Sequence, residues 1–390
     1  MATLKVKNVG PIRDAELDVK KHTIFIGPQG SGKSTLAKLI AIGADEELTY
    51  GADINHNILK KYFIHDYAND SSSFIFNTEN YSIRLESKKI NISYTEEKDK
   101  PIRSNETLEE FLNETITYKG IESFLDLVRD KKYFENLLSN FVLKNKILQI
   151  TSTYVPSERN LLSLLNESIW SLVSANVDFP RSIISFARLY SQSRTQINNL
   201  SINFLNVKFQ SSDSNDHVFL NDGTKVELSQ SASGYQTIIP LLVVIEQQRR
   251  LTSHRFIVEE PELNLYPIAQ KDLIYALVSG LDQNIQYREV EWVITTHSPY
   301  VLSSYNTLML AYKVASKSHE LRSEVEKIIP ARCWINPADF AAYYVDNGTV
   351  RSIIDSKTGL IMDNELDDVS EQFAAEQDQL LELNRSVARG

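Results

Sequence analysis

The sequence predicts an α/β fold with a mainly parallel central sheet, a small antiparallel β-subdomain beside it and an inserted helical region. Three observations point there. Short apolar runs such as "TIFI" (23–26), "RFIV" (255–258) and "EWVIT" (291–295) alternate with helical stretches. Two segments, 73–95 and 217–229, read as hairpins. Residues 105–147 and 160–200 are helical in character and interrupt the strand–helix alternation.

In order along the chain, "LKVKNV" (4–9) and "TIFI" read as two strands around a turn at "GPIRDAELD" (10–18). "STLAKLIAIGA" (34–44) reads as a helix. "SFIFNTENYSIRLESKKINISY" reads as a hairpin. Leu108, Phe111 and Leu112 start one apolar helical face, and Phe124, Leu125 and Leu127 start another. "ILQITSTYVP" (147–156) returns to a strand, and the helical stretch after it is broken near Pro180. "HVFLNDGTKVELS" (217–229) is a hairpin turning at Asn221-Asp222-Gly223. A helix after Gly234, the strand "RFIVEE", a helix after Pro267 and the strand "EWVITTH" follow. The expected division is 1–45 for an N-terminal lobe and 46–215 for hairpin and helical insert, with the strand near 147–156 rejoining the core. Then come a C-terminal lobe, 216–315, and a C-terminal region, 316–390, with an acidic amphipathic helix.

Composition narrows the class. Hydrophobic residues are 42% and charged residues 24% of 390, as in soluble globular proteins. The longest apolar run, "TIIPLLVVI" (237–245), holds a proline and falls short of the roughly 20 residues a membrane helix needs. The start, "MATLKVKNVG", lacks a secretory pattern, and the single cysteine, Cys333, cannot form an internal disulfide. A cytoplasmic protein without membrane contact is expected. The formal charge of -10 argues against a surface coated with bases for DNA. From Asp355 to Gly390 nine acids face three bases, leaving the rest of the chain at -4, so a local basic groove stays open. Lys131-Lys132 and Arg249-Arg250 are candidates to meet a phosphate backbone, or are simply scattered exposed bases.

Four motifs carry chemistry. "GPQGSGKS", Gly27 to Ser34, fits G-x-x-x-x-G-K-[ST] between an apolar strand and a helix. With Pro28 shaping the loop without a donor of its own, backbone N–H groups between Gly27 and Thr35, those of Gly30, Ser31 and Gly32 among them, suit the phosphates of ATP. Lys33 would reach its β- and γ-phosphates, and Ser34 would bind Mg²⁺. In "RFIVEEPELNLYP" (255–267) the strand ends in two acids. Glu259 is expected on magnesium and Glu260 on the attacking water, the alternative being a solvated strand end. "WVITTHSP" (292–299) ends a strand in His297, a contact for the γ-phosphate or else a structural histidine. "SASGYQT" (231–237) places serines and a glycine before a helix, either an anion nest or a capped helix start.

Together with "LKVKNVGPI", "EEPELNLYP" and "TTHSPYVL", these motifs resemble the ABC-class ATPases, and within them the branch of RecF, SMC-like proteins and the ATPase half of OLD nucleases. The resemblance implies an ABC-type P-loop ATPase core. It also implies that "SASGYQT" is the signature loop that meets the γ-phosphate held by a second subunit, through Ser233, Gly234 and Gln236. A head-to-tail homodimer, or a higher even-numbered oligomer, follows from it. Tyr235 departs from the usual small or charged residue of that loop. The family's glutamine loop, a further metal contact, would correspond to Gln149, or to Ser157, Glu158 or Arg159 in "YVPSER". Its D-loop would be Asn264 and Leu265, with Tyr266 where histidine is frequent. Short ATPases of this build resemble the ATPase components of Septu, PARIS and retron antiphage systems. That implies a separately encoded effector, often a nuclease. A RecF-like repair ATPase that binds DNA directly is the alternative, and nucleic acid stays open as a partner. The 93 residues after His297 hold no Asp-x-Asp pair, so no nuclease activity is expected from this chain. "ELDDVSEQF" with Leu380 and Leu381 reads as an amphipathic docking helix.

Overall fold

The computed structural model describes residues 2–45, 54–86, 89–94, 150–165, 179–212, 215–282, 287–362 and 373–381, with a few more at 171–177 and 284–285. The helical reading of 105–147, Lys131-Lys132 and Gln149 lie outside the described residues.

Strands β1 (Ala2–Val9) and β2 (Ile12–Val19) open the chain, followed by β3 (His22–Ile26) and helix α1 (Lys33–Gly43). The stretch expected as a turn, "GPIRDAELD", is therefore mostly strand. Ile12, Ala15, Leu17 and Val19 are buried while Arg13, Asp14, Glu16 and Asp18 face outward, the period-two pattern of a sheet with one wet face. Helix α2 (Ile54–Lys61) leads to β4 (Ala68–Asn77), β5 (Tyr81–Glu86) and β6 (Lys89–Tyr94). The expected hairpin is thus a three-stranded meander, and with β1 and β2 it forms an antiparallel sheet in the order β2-β1-β4-β5-β6.

Next come β7 (Thr151–Val155), α3 (Asn160–Leu165) and α4 (Arg181–Gln196), with Pro180 at the start of α4 where the helical reading breaks. Strands β8 (Asn199–Ile202), β9 (Val207–Ser211), β10 (Asp216–Phe219) and β11 (Lys225–Glu227) make a second antiparallel sheet, spanning both sides of the limit expected at 215. Leu220 N donates to Thr224 O at 2.9 Å, closing the turn around Asn221-Asp222-Gly223. Helix α5 (Ser233–Leu251), β12 (His254–Glu259), α6 (Pro267–Ser279) and β13 (Val290–Thr295) follow. Helices α7 (Pro299–Ala315) and α8 (His319–Ile328) and strands β14 (Phe340–Asp346) and β15 (Thr349–Ser352) complete the body.

The central sheet runs β15-β14-β3-β13-β12-β7, parallel throughout except for β15. Both faces of its inner strands are covered, so β3, β12, β13 and β14 are largely apolar, while the edge strands β7 and β15 are more polar. Ile24, Ile26, Phe256, Val258, Trp292 and Ile294 point into one core with α5, α6 and α7. Phe25, Ile257, Val293, Ala341 and Val345 point into another, where α1 lies between this sheet and the N-terminal one. Residues 237–245 are buried inside α5, which accounts for the apolar run. Among the described residues no helix is long and apolar enough to cross a membrane. Residues 373–381 are helical with Phe373, Leu380 and Leu381 exposed, so this stretch covers no apolar face of the described chain; most of "ELDDVSEQF" lies outside the described residues.

Candidate functional site

Parallel strands place their carboxyl ends on one edge, and three of the motifs sit there. β13 lies between β3 and β12, with Thr295 beside both Phe25 and Glu259. The glycine-rich loop, the paired acids and the histidine are therefore neighbours despite the sequence between them.

The loop needs its glycines. Gly27, Gly30 and Gly32 have φ of 147°, 76° and 109°, which side-chain-bearing residues rarely adopt. A Cβ on Gly27 would also lie 2.1 Å from Val345 O, so β14 presses directly on the loop. Gly30 has open space on that side. Lys33 is 5% exposed and donates from Nζ to Gly27 O at 2.9 Å and Pro28 O at 2.7 Å. Burial draws its pKa down to about 8, against the opposing pull of Glu260 and Glu259. The Ser31 hydroxyl is buried with no hydrogen-bond partner among the described residues.

Glu259 is buried at the end of β12. Tyr154 donates to its Oε1 at 2.6 Å, Ser157 to its Oε2 at 3.4 Å, and Ser34 also bonds its carboxylate. Burial raises its pKa, which these hydrogen bonds and Lys38 oppose. Glu260 turns out of the strand at φ 44°, with its backbone N–H on Thr295 O at 2.9 Å. Its Oε1 stands 3.6 Å from His297 Nε2. Burial, then Lys33, lowers the His297 pKa, while Glu260 and a hydrogen bond to the Gly27 backbone resist.

Sequence reasoning missed a third acid, Glu262, whose only trace was its place in "EEPEL". It is 7% exposed, and its Oε1 accepts from Thr296 Oγ1 at 2.5 Å and from His297 N at 3.3 Å. Ser298 Oγ donates to Gln270 Oε1 at 2.5 Å, and Gln270 Nε2 to Leu265 O at 2.8 Å. The backbone around His297 is thereby fastened to the segment carrying Asn264 and Leu265.

The "SASGYQT" segment starts α5 with Ser233 exposed. Gly234 packs so closely that an added Cβ would lie 2.9 Å from Asn264 O. Asn264 Nδ2 donates to Thr237 Oγ1 at 3.1 Å. Gln236 is occupied within its own chain, donating from Nε2 to Ser229 O at 3.0 Å and Ser231 O at 2.8 Å. Of the "YVPSER" residues, Ser157 faces Glu259. Arg159 is fully buried and bonds main-chain carbonyls; burial draws its pKa down to about 10, with Glu262, Glu260, Glu259 and Glu158 holding it up. Arg249 and Arg250 form no phosphate-facing patch. Arg249 is 3% exposed, and the pair lie 3.5 and 3.6 Å from Glu246.

Ser34 and Glu259 offer hard oxygen ligands of the kind magnesium takes, and the loop offers amides and a cation suited to phosphates. Among the described residues no three His, Cys, Asp or Glu side chains converge on a metal position.

No curated protein matches the chain. Three solved structures are distantly similar. The SMC head domain from Thermotoga maritima has 12% identity and a TM-score of 0.36, over 90% of this chain and 97% of that one. The SmcHead bound to the C-winged helix domain of ScpA has 10% and 0.41, over 90% and 96%. The Smc head domain with an extended coiled coil, bound to the C-terminal domain of ScpA derived from Pyrococcus furiosus, has 10% and 0.37, over 90% and 96%. Residues 23–303, which include the glycine-rich loop, the "SASGYQT" segment, the paired acids and His297, match the family described as "AAA domain, putative AbiEii toxin, Type IV TA system". The chain belongs to that family and is a nucleotide-binding ATPase of the P-loop class.

Proposed function

We propose that this protein hydrolyses ATP within a head-to-tail homodimer and that the cycle controls a separately encoded effector in antiphage defence. The observation that carries the hydrolytic reading is the convergence of Lys33, the Ser34–Glu259 pair and the Glu260–His297 pair on one edge of the sheet.

Amides of Gly27 to Thr35 and the Lys33 ammonium hold the phosphates, and phosphate oxygens are stronger acceptors than the two carbonyls Lys33 now bonds. Ser34 and Glu259 would hold Mg²⁺, which when bound would draw charge off the phosphate oxygens. Glu260, half-exposed and beside His297, accepts a proton from the attacking water. His297 senses the γ-phosphate.

The dimer is supported by the segment at 231–237. Ser233 is exposed at the amino end of a 19-residue helix, which directs N–H groups outward, and its neighbours are bound to Asn264 of the same chain. Ser233 and Gly234 are then donated to the phosphate held by a second copy. The defence role and the effector rest on the resemblance to antiphage ATPases and on the toxin–antitoxin system in the family's description.

The test is Glu260→Gln, which keeps the side-chain volume and removes the base. Light scattering with ATP should give a dimer mass, and phosphate release should fall at least a hundredfold. A monomer mass with ATP, or undiminished phosphate release, overturns the reading.

A further inference from the structure

Arg159 has 0% exposure, and its guanidinium bonds four main-chain carbonyls. Nη1 donates to Pro156 O at 3.2 Å and to Glu259 O at 2.7 Å. Nη2 donates to Glu260 O at 2.6 Å, and Nε to Thr237 O at 3.2 Å. Among the described residues no carboxylate forms an ion pair with it. Glu262, Glu260, Glu259 and Glu158 favour its charge from a distance, yet a buried cation whose direct partners are all carbonyl dipoles is costly, so the arrangement calls for a reason beyond packing.

The geometry supplies one. Glu260 has φ 44°, a left-handed conformation that costs a non-glycine residue about 1–2 kcal/mol. It persists because the backbone is held on both sides, by Thr295 O on its N–H and by Arg159 and Leu263 N on its carbonyl. The same guanidinium reaches the first turn of α5. Pro240, within that helix, has no N–H to give Gln236 O. The freed carbonyl accepts instead from Ser163 Oγ at 2.7 Å, next to the Thr237 carbonyl that Arg159 takes. Residues 159–163 thus grip the opened turn of α5 at two successive carbonyls while Arg159 grips two successive carbonyls at the end of β12. The planar fork holds that pair and Thr237 O from donors fixed in one plane; a lysine ammonium gathers its three donors at a single point and cannot reach all of these carbonyls at once.

We propose that Arg159 is a positioning residue that ties the first turn of α5 to the backbone of Glu260, so that engagement of Ser233 and Gly234 by a partner's nucleotide sets the aim of the chain's own catalytic base. The inference rests on the hydrolytic reading above. It assigns Arg159 no contact with nucleotide, unlike a glutamine-loop residue.

The experiment uses the full-length protein and measures kcat, KM and the dissociation constant of a fluorescent ATP analogue. Wild type, Glu260→Gln, Arg159→Lys, Ser163→Ala and Gly234→Ala are compared, together with Arg159→Lys combined with Gly234→Ala. Arg159→Lys should lower kcat about 10–100-fold, the scale of an ångström-sized misplacement of a catalytic group, with the dissociation constant within about threefold. The effect of Gly234→Ala on kcat should largely vanish in the Arg159→Lys background. If Arg159→Lys does not fold, Ser163→Ala decides: a smaller kcat loss with unchanged binding supports the coupling, and unchanged kcat overturns it. Unchanged kcat in Arg159→Lys, equal loss of binding and turnover, or additive effects in the double variant each overturn it while Glu260→Gln remains inactive. Undiminished hydrolysis by Glu260→Gln overturns the underlying reading, and the inference with it.

Discussion

Replacing Glu262 separates two ways in which a buried acid can serve this site. Its Oε1 satisfies two donors, Thr296 Oγ1 at 2.5 Å and His297 N at 3.3 Å, while its Oε2 is buried with no hydrogen-bond partner among the described residues. Glu262→Ala orphans both donors and leaves a void. Each orphaned donor costs about 1–3 kcal/mol, so a loss of about 2–6 kcal/mol is expected, with the void adding to it. Glu262→Gln keeps an acceptor oxygen in the same place and should cost about 1 kcal/mol or less. The sign of the pH effect follows from burial, which raises the Glu262 pKa above its ordinary 4.5. The folded state then binds a proton that the unfolded chain releases. The contribution of Glu262 is full below 4.5 and is lost as pH rises through the folded value. Stability of Glu262→Gln relative to wild type should therefore rise from pH 4 to pH 8. The assay is urea unfolding followed by tryptophan fluorescence, with Trp292 buried in β13 as a reporter. If Glu262→Gln is as unstable as Glu262→Ala, or if its difference from wild type is flat across that pH range, the acceptor-and-burial reasoning is wrong.

Three further outcomes are expected. With Lys33 drawn to about 8, its charge is present below that pH and lost above it, so kcat/KM for ATP should fall above about pH 8; a profile flat to pH 10 would contradict this. Lys33→Met should weaken binding of a fluorescent ATP analogue at least tenfold at neutral pH, measured by titration. Gly234→Ala places a methyl 2.9 Å from Asn264 O and should destabilise by about 1–3 kcal/mol in thermal unfolding, with turnover falling while nucleotide affinity holds; parallel loss of both would argue against it.

The parts of the site legible in the sequence were those with fixed local spacing. The glycine loop follows an apolar strand, and the two acids and His297 end apolar strands of their own, so each announces both its element and its place on that element. β2 was hidden because its outward face is charged, although Ile12, Ala15, Leu17 and Val19 carried the sheet period. β14 and β15 went unread although Asn347-Gly348 marks a hairpin turn between them. Arg159 and Gln236 show a different limit. Their partners are main-chain carbonyls, whose positions depend on the whole fold and leave no mark on residue identity. The tail was legible as an amphipathic helix, but the pattern could not tell whether its apolar residues face this chain. Phe373, Leu380 and Leu381 are exposed and pack on no apolar face of the described residues.

The order of the central sheet also governs when the protein becomes competent during its synthesis. β3, which leads into the nucleotide loop, carries Ile24, and the residues paired with Ile24 are Ile294 and Ala342. The loop itself rests on Val345. A nascent chain therefore emerges with its phosphate loop first and acquires the strands that shape it last. At about 5–20 residues per second, the early strand waits on the order of 15–60 s for its neighbours. Until then Phe25 and Ile26 have no sheet to join, and a prematurely ended product has no formed site. For an ATPase proposed to restrain or release an effector, that delay keeps partial chains silent, and it makes the ribosome-bound interval the stage at which chaperone protection matters most.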